Sequence, residues 1–283
     1  MSGSSRNHRN ASRMWHVLVA VVFLFFLFLP LAATLLFSVS TEWQNSVLPR
    51  GWTGQWYPNL FMEERFLNAL GRSVLISVLA VGTTLVVMIP TVFIVSMYFP
   101  RWERLLQVVV LLPFAIPGVV LAVGVMNLYS SGPLAISGTI WILLGVYFVV
   151  VLPYVYQSIT NSLRAINAID LVEASAMLGA NKSQSFIRVI LPNIMPGVLV
   201  ASLLSFAIIF AEFVLVNILV GGTFETIQVY LLQMMQINGH LSSATIIVFY
   251  TVVFVISVLV LRIGNRKTGS PDRRGADNRE EHA

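Results

Sequence analysis

LLQVVVLLPFAIPGVVLAVGVMNLYSSGPLAISGTIWILLGVYFVVVLPYVYQSITNSL, running from Leu105 to Leu163, contains no Asp, Glu, Lys or Arg. A bilayer-crossing helix needs about 20 mostly apolar residues, so this run is far too long for one crossing. It is broken in the middle by Asn127-Leu-Tyr-Ser-Ser-Gly-Pro133 and by Ser137-Gly138, which are turn formers. It therefore reads as two crossings. The other charge-free stretches, Met14 to Thr41, Ser73 to Pro100, Val189 to Ala211 and Thr226 to Leu261, supply four more. The composition agrees. Of 283 residues, 57% are hydrophobic and 10% charged, with mean hydropathy +0.83. Soluble domains average about 45–50% and about 25%.

The pattern predicts an all-α membrane protein of six transmembrane helices, near Trp15 to Ser38, Ala69 to Tyr98, Leu105 to Leu128, Thr139 to Ser158, Ile194 to Val220 and Ala244 to Ile263. Around them lie an N-terminal segment 1–14, an external loop 39–68, a core 69–263 and a disordered tail 264–283. The first apolar run exceeds the 7–15 residues of a signal h-region, so it reads as a retained span. An even number of spans puts both termini on one side. The N-terminus, the second–third and fourth–fifth connections and the tail hold 14 of the 17 Lys and Arg residues, which predicts cytoplasmic termini. The net charge of +5 thus reflects membrane orientation rather than nucleic-acid binding. Cysteine is absent, which excludes disulfides and thiolate metal sites.

The longest cytoplasmic connection, Ile159 to Pro192, reads as folded. Asp170 is placed to cap a helix from Leu171 to Leu178, with Glu173 completing a capping box and Ile169 and Ala174 at staple positions. Gly179 sits where a left-handed residue ends such a helix, and a second amphipathic helix is expected from Lys182 to Leu191, stopped by Pro192. A helix of about eight residues is marginal alone in water. It calls either for a groove on a soluble partner or for a place on the lipid headgroups.

Glu173-Ala-Ser-Ala-Met-Leu-Gly179-Ala180, followed by Phe186-Ile-Arg-Val-Ile-Leu-Pro192, resembles the EAA motif of bacterial ABC-importer permeases in residues, spacing and position. Ser175 stands where that family most often has alanine. The likeness covers Ala69 to about Ile263 and includes the third-helix segment Pro113-Phe-Ala-Ile-Pro117-Gly118. Phe210-Ala-Glu-Phe-Val-Leu-Val-Asn217 and Gly221-Gly222 look most like permeases of the spermidine/putrescine group, whose relatives import ferric iron, phosphonates and other small solutes.

The resemblance implies a type I (MetI-like) ABC-importer permease fold in a bacterial inner membrane. It also implies an ABC ATPase dimer, a second permease chain and an external solute-binding protein as partners. Glu173, Ala174, Ser175, Gly179, Ala180, Phe186 and Pro192 would belong to the ATPase-coupling element. ATP would be bound by the partner, and this chain has no GxxxxGK[ST] phosphate loop and needs no cofactor of its own. The implied cargo is a small solute such as a polyamine.

Candidate pathway residues follow from the cost of polar groups in lipid. Glu212, inside an otherwise uncharged crossing, costs about 2.5–3.5 kcal/mol to insert unless it faces the bundle interior or a wet cavity. Either a structural hydrogen bond or a cation-attracting place on the path accounts for it. Asn217 lies roughly 140° around the helix from Glu212. Asn127 and Tyr129 fall near the external end of the third crossing, as anchors or ligands. Prolines at 30, 90, 113, 117 and 153 each remove a helical hydrogen bond, and the cluster Pro113, Pro117 and Gly118 forms the candidate hinge. Ile227, Tyr230, Leu231 and Met234 predict an external amphipathic helix within Glu225 to His240. The four histidines show no metal-ligand spacing. A self-sufficient carrier, with Glu212 binding an ion or proton, is the rival reading. The half-helices expected of many carriers are not evident in the sequence.

Overall fold

The computed structural model describes residues 4–43, 46, 48–132 and 135–268, with side chains from residue 14 to 262. Among the described residues there are no β-strands, only one isolated bridge between Ser40 and Trp52. The helices are α1 (Ser4–Ser38), α2 (Trp56–Met62), α3 (Glu64–Tyr98), α4 (Pro100–Leu111), α5 (Gly118–Leu128), α6 (Ile140–Ala165), α7 (Ala168–Met177), α8 (Lys182–Gln184), α9 (Leu191–Phe210), α10 (Val214–Leu219), α11 (Ile227–Met235) and α12 (Gly239–Thr268). Five runs are long and apolar enough to cross a bilayer: Met14–Ser38, Glu64–Tyr98, Ile140–Ala165, Lys182–Phe210 and Gly239–Arg262. Pro100–Ala115 and Gly118–Leu128 reach that length and apolarity only as a pair, bent by 100° at the break between them.

Two compact units are formed, Met1–Leu67 with Leu231–Thr251, and Asn68–Tyr230 with Val252–Ala283. In the first, the His240 ring stacks between Phe37 and Trp56, with centroids at 4.2 and 5.2 Å, and its Nδ1 lies 3.0 Å from the Phe37 carbonyl oxygen. The second contains a core cluster that includes Val92, Phe93, Val155, Ile159, Leu163, Ile190 and Ile194, all almost completely buried. Its central seam joins α6 to α9. Ser158 Oγ donates to the Gly197 carbonyl oxygen at 2.8 Å, a close approach that small residues permit between membrane helices.

Several sequence-based boundaries are corrected. The third crossing is not one helix from Leu105 to Leu128. After α4 comes a 3₁₀ turn, Leu112–Ala115, and Pro117 in extended geometry starts α5. Pro30, Pro90 and Pro153, and the pair Pro192 and Pro196 at the same spacing as Pro113 and Pro117, lie inside unbroken helices, so proline alone does not set the bend, which falls where the backbone of Ile116 turns extended.

The fifth crossing does not run from Ile194 to Val220. It begins at Lys182, ends at Phe210 and resumes as the short α10, so half-helices are present although the sequence did not announce them. Pro192 does not stop the second loop helix. A π turn over Ser185–Ile190 precedes it and runs on into α9, and a wider turn accommodates a ring that lacks an N–H. Asn193 Nδ2 donates to the Val189 carbonyl oxygen at 2.7 Å, satisfying an acceptor in the same turn.

The last helix extends to Thr268, five residues into the segment 264–283 expected to be disordered. Residues 269–283 of that expected tail lie outside the described residues. The amphipathic helix expected within Glu225 to His240 is realised as α11, with Ile227, Tyr230 and Met234 buried.

Candidate functional site

Two places in the second unit gather the sequence candidates. The first is the loop hairpin around α7. Asp170 is not its cap. The cap position is Asn167, whose left-handed backbone (φ 48°) turns the chain out of α6, and Asp170 falls in the first helical turn. Asparagine tolerates that conformation better than other side-chain-bearing residues, and an aspartate in the first turn is still favoured by the helix dipole. Glu173 is exposed and makes no capping box, and the staple geometry expected of Ile169 and Ala174 is lost with the shifted start.

The end of α7 matches expectation. Gly179 has φ +82°, its N–H donates to the Ala176 carbonyl oxygen at 2.9 Å, and the Ala180 N–H donates to that of Ser175 at 3.0 Å. This pair of bonds is the Schellman closure that a glycine at that position allows.

Burial along α7 follows the helical period. Ala168, Leu171, Val172 and Ser175 turn inward, whereas Ile169, Glu173, Met177 and Leu178 turn outward. Met177 and Leu178 are 87% and 89% exposed, so an apolar tip stands free at the end of the hairpin. Ser175 is buried and its Oγ lies 2.6 Å from that of Ser185, which itself donates to the Asn181 carbonyl oxygen at 3.1 Å. This pairing fixes α7 to the π turn and was missed, because no local pattern links residues ten apart across a turn.

The capping box of Asn181 and Gln184, with both bonds at 2.9 Å, was missed as well, although Asn181-x-x-Gln184 is its sequence sign. The Phe186 ring lies tilted against that of Phe93 with centroids 4.7 Å apart, and Lys182 Nζ lies 4.4 Å above the Tyr98 ring. These contacts seat the hairpin on the end of α3.

The second place is the break in the fifth crossing. Glu212 Oε1 accepts from Leu215 N at 2.8 Å, and Oε2 accepts from Val216 N at 3.1 Å and from Tyr147 Oη at 3.4 Å. The carboxylate therefore caps α10, supplying acceptors to N–H groups that a helix start leaves unpaired. It also lines a cavity of about 370 Å³ together with Pro113, Phe114, Gly118 and Tyr154. Two candidates almost a hundred residues apart, the hinge and the acid, thus share one cavity.

Asn217 is exposed and does not line this cavity, nor does Asn127, which is exposed near the end of α5. Tyr129 lines a separate space of about 220 Å³ beside Trp141. Among the described residues no cluster of three or more His, Cys, Asp or Glu side chains is placed to hold a metal ion.

Five apolar runs of crossing length with a bent sixth pair, a folded loop helix and a cavity at broken helices define a multi-pass membrane transport component. Residues 88–269 match the family described as binding-protein-dependent transport system inner membrane component, and the chain belongs to that family. It is 32% identical over 196 residues, 69% of its length and 73% of the other, to PhnV of Salmonella typhimurium, described as a candidate 2-aminoethylphosphonate transport system permease. It is 26% identical over 220 residues, 76% and 84% of the two lengths, to the spermidine/putrescine transport system permease PotC of Haemophilus influenzae.

The fold resembles that of a bacterial alginate ABC transporter crystallised with an alginate-bound periplasmic protein. The TM-score is 0.65 at 16% identity, covering 94% of this chain and 99% of that one. The fold is the type I (MetI-like) permease fold. The chain is an ABC-importer permease component of the inner membrane.

Proposed function

We propose that this chain works with an ATPase dimer, a second and different permease chain and an external solute-binding protein to import a short aminoalkyl solute. Either 2-aminoethylphosphonate or a polyamine has that chemistry. The named relatives support this class, since both solutes carry a primary amine, and the higher identity to PhnV weights it toward the phosphonate. The α7 hairpin is the element that meets the ATPase. The observation carrying this role is the free apolar tip, Met177 and Leu178, on a helix too short to stand alone and clamped from behind by Ser175 and Phe186.

ATP binding and release in the partner would move the hairpin as a unit. That motion passes directly into the fifth crossing, because α8 and the π turn are continuous with α9. Both termini lie on the cytoplasmic side in this scheme, as the Lys and Arg distribution favours.

The test is purification from the native membrane in mild detergent, identification of co-purifying chains, and uptake of 2-aminoethylphosphonate and putrescine by proteoliposomes holding the complex, the binding protein and internal ATP. Co-purification of an ATPase and ATP-dependent uptake of one amine are expected. Gradient-driven transport by this chain alone would overturn the scheme in favour of a carrier. Because the sequence has no cysteine, single cysteines placed at 5 and 275 report the side of each terminus without background.

A further inference from the structure

The cavity at the two helix breaks has an unusual charge pattern. Its lining includes Glu212 and otherwise apolar or aromatic side chains, and contains no Lys, Arg or His. The groups bonded to the carboxylate, two backbone N–H groups and the Tyr147 hydroxyl, are neutral. A carboxylate facing an apolar cavity without a cation is stabilised by any ligand that brings a positive charge.

Phe114 and Tyr154 meet edge to face at 5.4 Å and line the same space, presenting ring surfaces that attract ammonium groups. Val119, Leu121 and Val150 offer an apolar wall for an alkyl chain. The volume of about 370 Å³ suits a small solute. A divalent metal is disfavoured, since it needs several oxygen or nitrogen ligands and the lining supplies one carboxylate.

Resting on the aminoalkyl class given above, we infer that this cavity receives the protonated amine of the solute. Glu212 is the counter-charge and Phe114 and Tyr154 are the aromatic walls. The same carboxylate caps α10, and Pro113, Phe114, Ile116 and Gly118 of the bend line the same cavity. Amine entry therefore takes place where both interrupted crossings can change their angle, which ties occupancy to opening of the path.

The experiment uses the assembled importer. Carbodiimide modification of Glu212 is followed by mass spectrometry of its peptide, read as loss of the unmodified carboxyl group so that acylurea and amine-coupled amide products both count as labelling, with 2-aminoethylphosphonate, putrescine or ethylphosphonate present. Both amines should slow labelling several-fold and ethylphosphonate should leave it unchanged. Replacement of Glu212 by Gln removes the charge but also disturbs the cap, so Phe114→Leu serves as the second variant. It should weaken uptake of the amines by about threefold to tenfold while leaving the cap in place. Unprotected labelling, or equal protection by ethylphosphonate, in a complex that still imports an amine overturns the cavity assignment and leaves the importer reading standing. If neither amine is imported, the solute class falls, and the labelling still decides whether the cavity binds amines.

Discussion

Replacing Gly197 by alanine puts a carbon into the closest seam of the second unit. An ideal Cβ there lies 2.9 Å from Ser162 Cβ and 3.3 Å from the Ser158 carbonyl oxygen, and it also runs into Ser162 Oγ. The hydroxyl can rotate away only by giving up its 2.7 Å bond to the Ser158 carbonyl oxygen, a loss of about 0.5–1.5 kcal/mol. The remaining carbon–carbon contact falls short of the ~3.5–4.0 Å optimum, so α6 and α9 must separate by more than half an ångström, to roughly that optimum. Overpacking of this kind costs about 1–3 kcal/mol, the two losses sum to about 1.5–4.5 kcal/mol, and the roughly 1 kcal/mol that alanine gains over glycine inside a helix leaves about 0.5–3.5 kcal/mol.

Ser162→Gly removes the opposing carbon at a helix-propensity cost of roughly 0.5 kcal/mol. The double variant should therefore be more stable than the sum of the single changes by about 1–3 kcal/mol. The assay is unfolding of the purified chain in detergent by heat or denaturant, run as a double-mutant cycle. Wild-type stability for Gly197→Ala, or strict additivity in the cycle, would refute the argument.

Gly179→Ala meets no steric obstacle, because nothing lies within 4 Å of the added carbon, yet φ +82° makes it cost about 1–2 kcal/mol. In the assembled importer it should lower uptake per ATP hydrolysed and speed amide exchange across α7, with Gly179→Asn milder in both measurements. Ser175→Ala should cost less than about 1 kcal/mol, since Ser185 keeps its bond to Asn181, whereas Ser175→Val overfills a buried position and should cost about 1–3 kcal/mol in thermal unfolding. Phe186→Ala removes a partly buried ring tilted against Phe93 and should cost about 2 kcal/mol, seen as a lower melting temperature with membrane insertion intact.

The apolar runs of crossing length, the charge asymmetry between their connections and the glycine-ended loop helix are all legible along the chain. Each depends on a property local to a short stretch of chain. Apolar length must match the bilayer, and Gly179 must carry a positive φ whatever packs around it. The family followed from the same stretch, because the motif from Glu173 to Pro192 is contiguous.

Helix ends and the cavity were decided by tertiary structure. Nothing in Phe210-Ala-Glu-Phe announces a break by glycine or proline. Glu212 ends the helix there because its carboxylate caps the next one while Tyr147, from another crossing, holds it in place. Pro192 read as a stop on local grounds, but the π turn before it and the packing of Ile190 and Ile194 in the core carry the helix through. The meeting of Glu212 with Pro113, Phe114 and Tyr154 rests on contacts between crossings distant in sequence, and periodicity along a single helix does not encode which partner lies opposite.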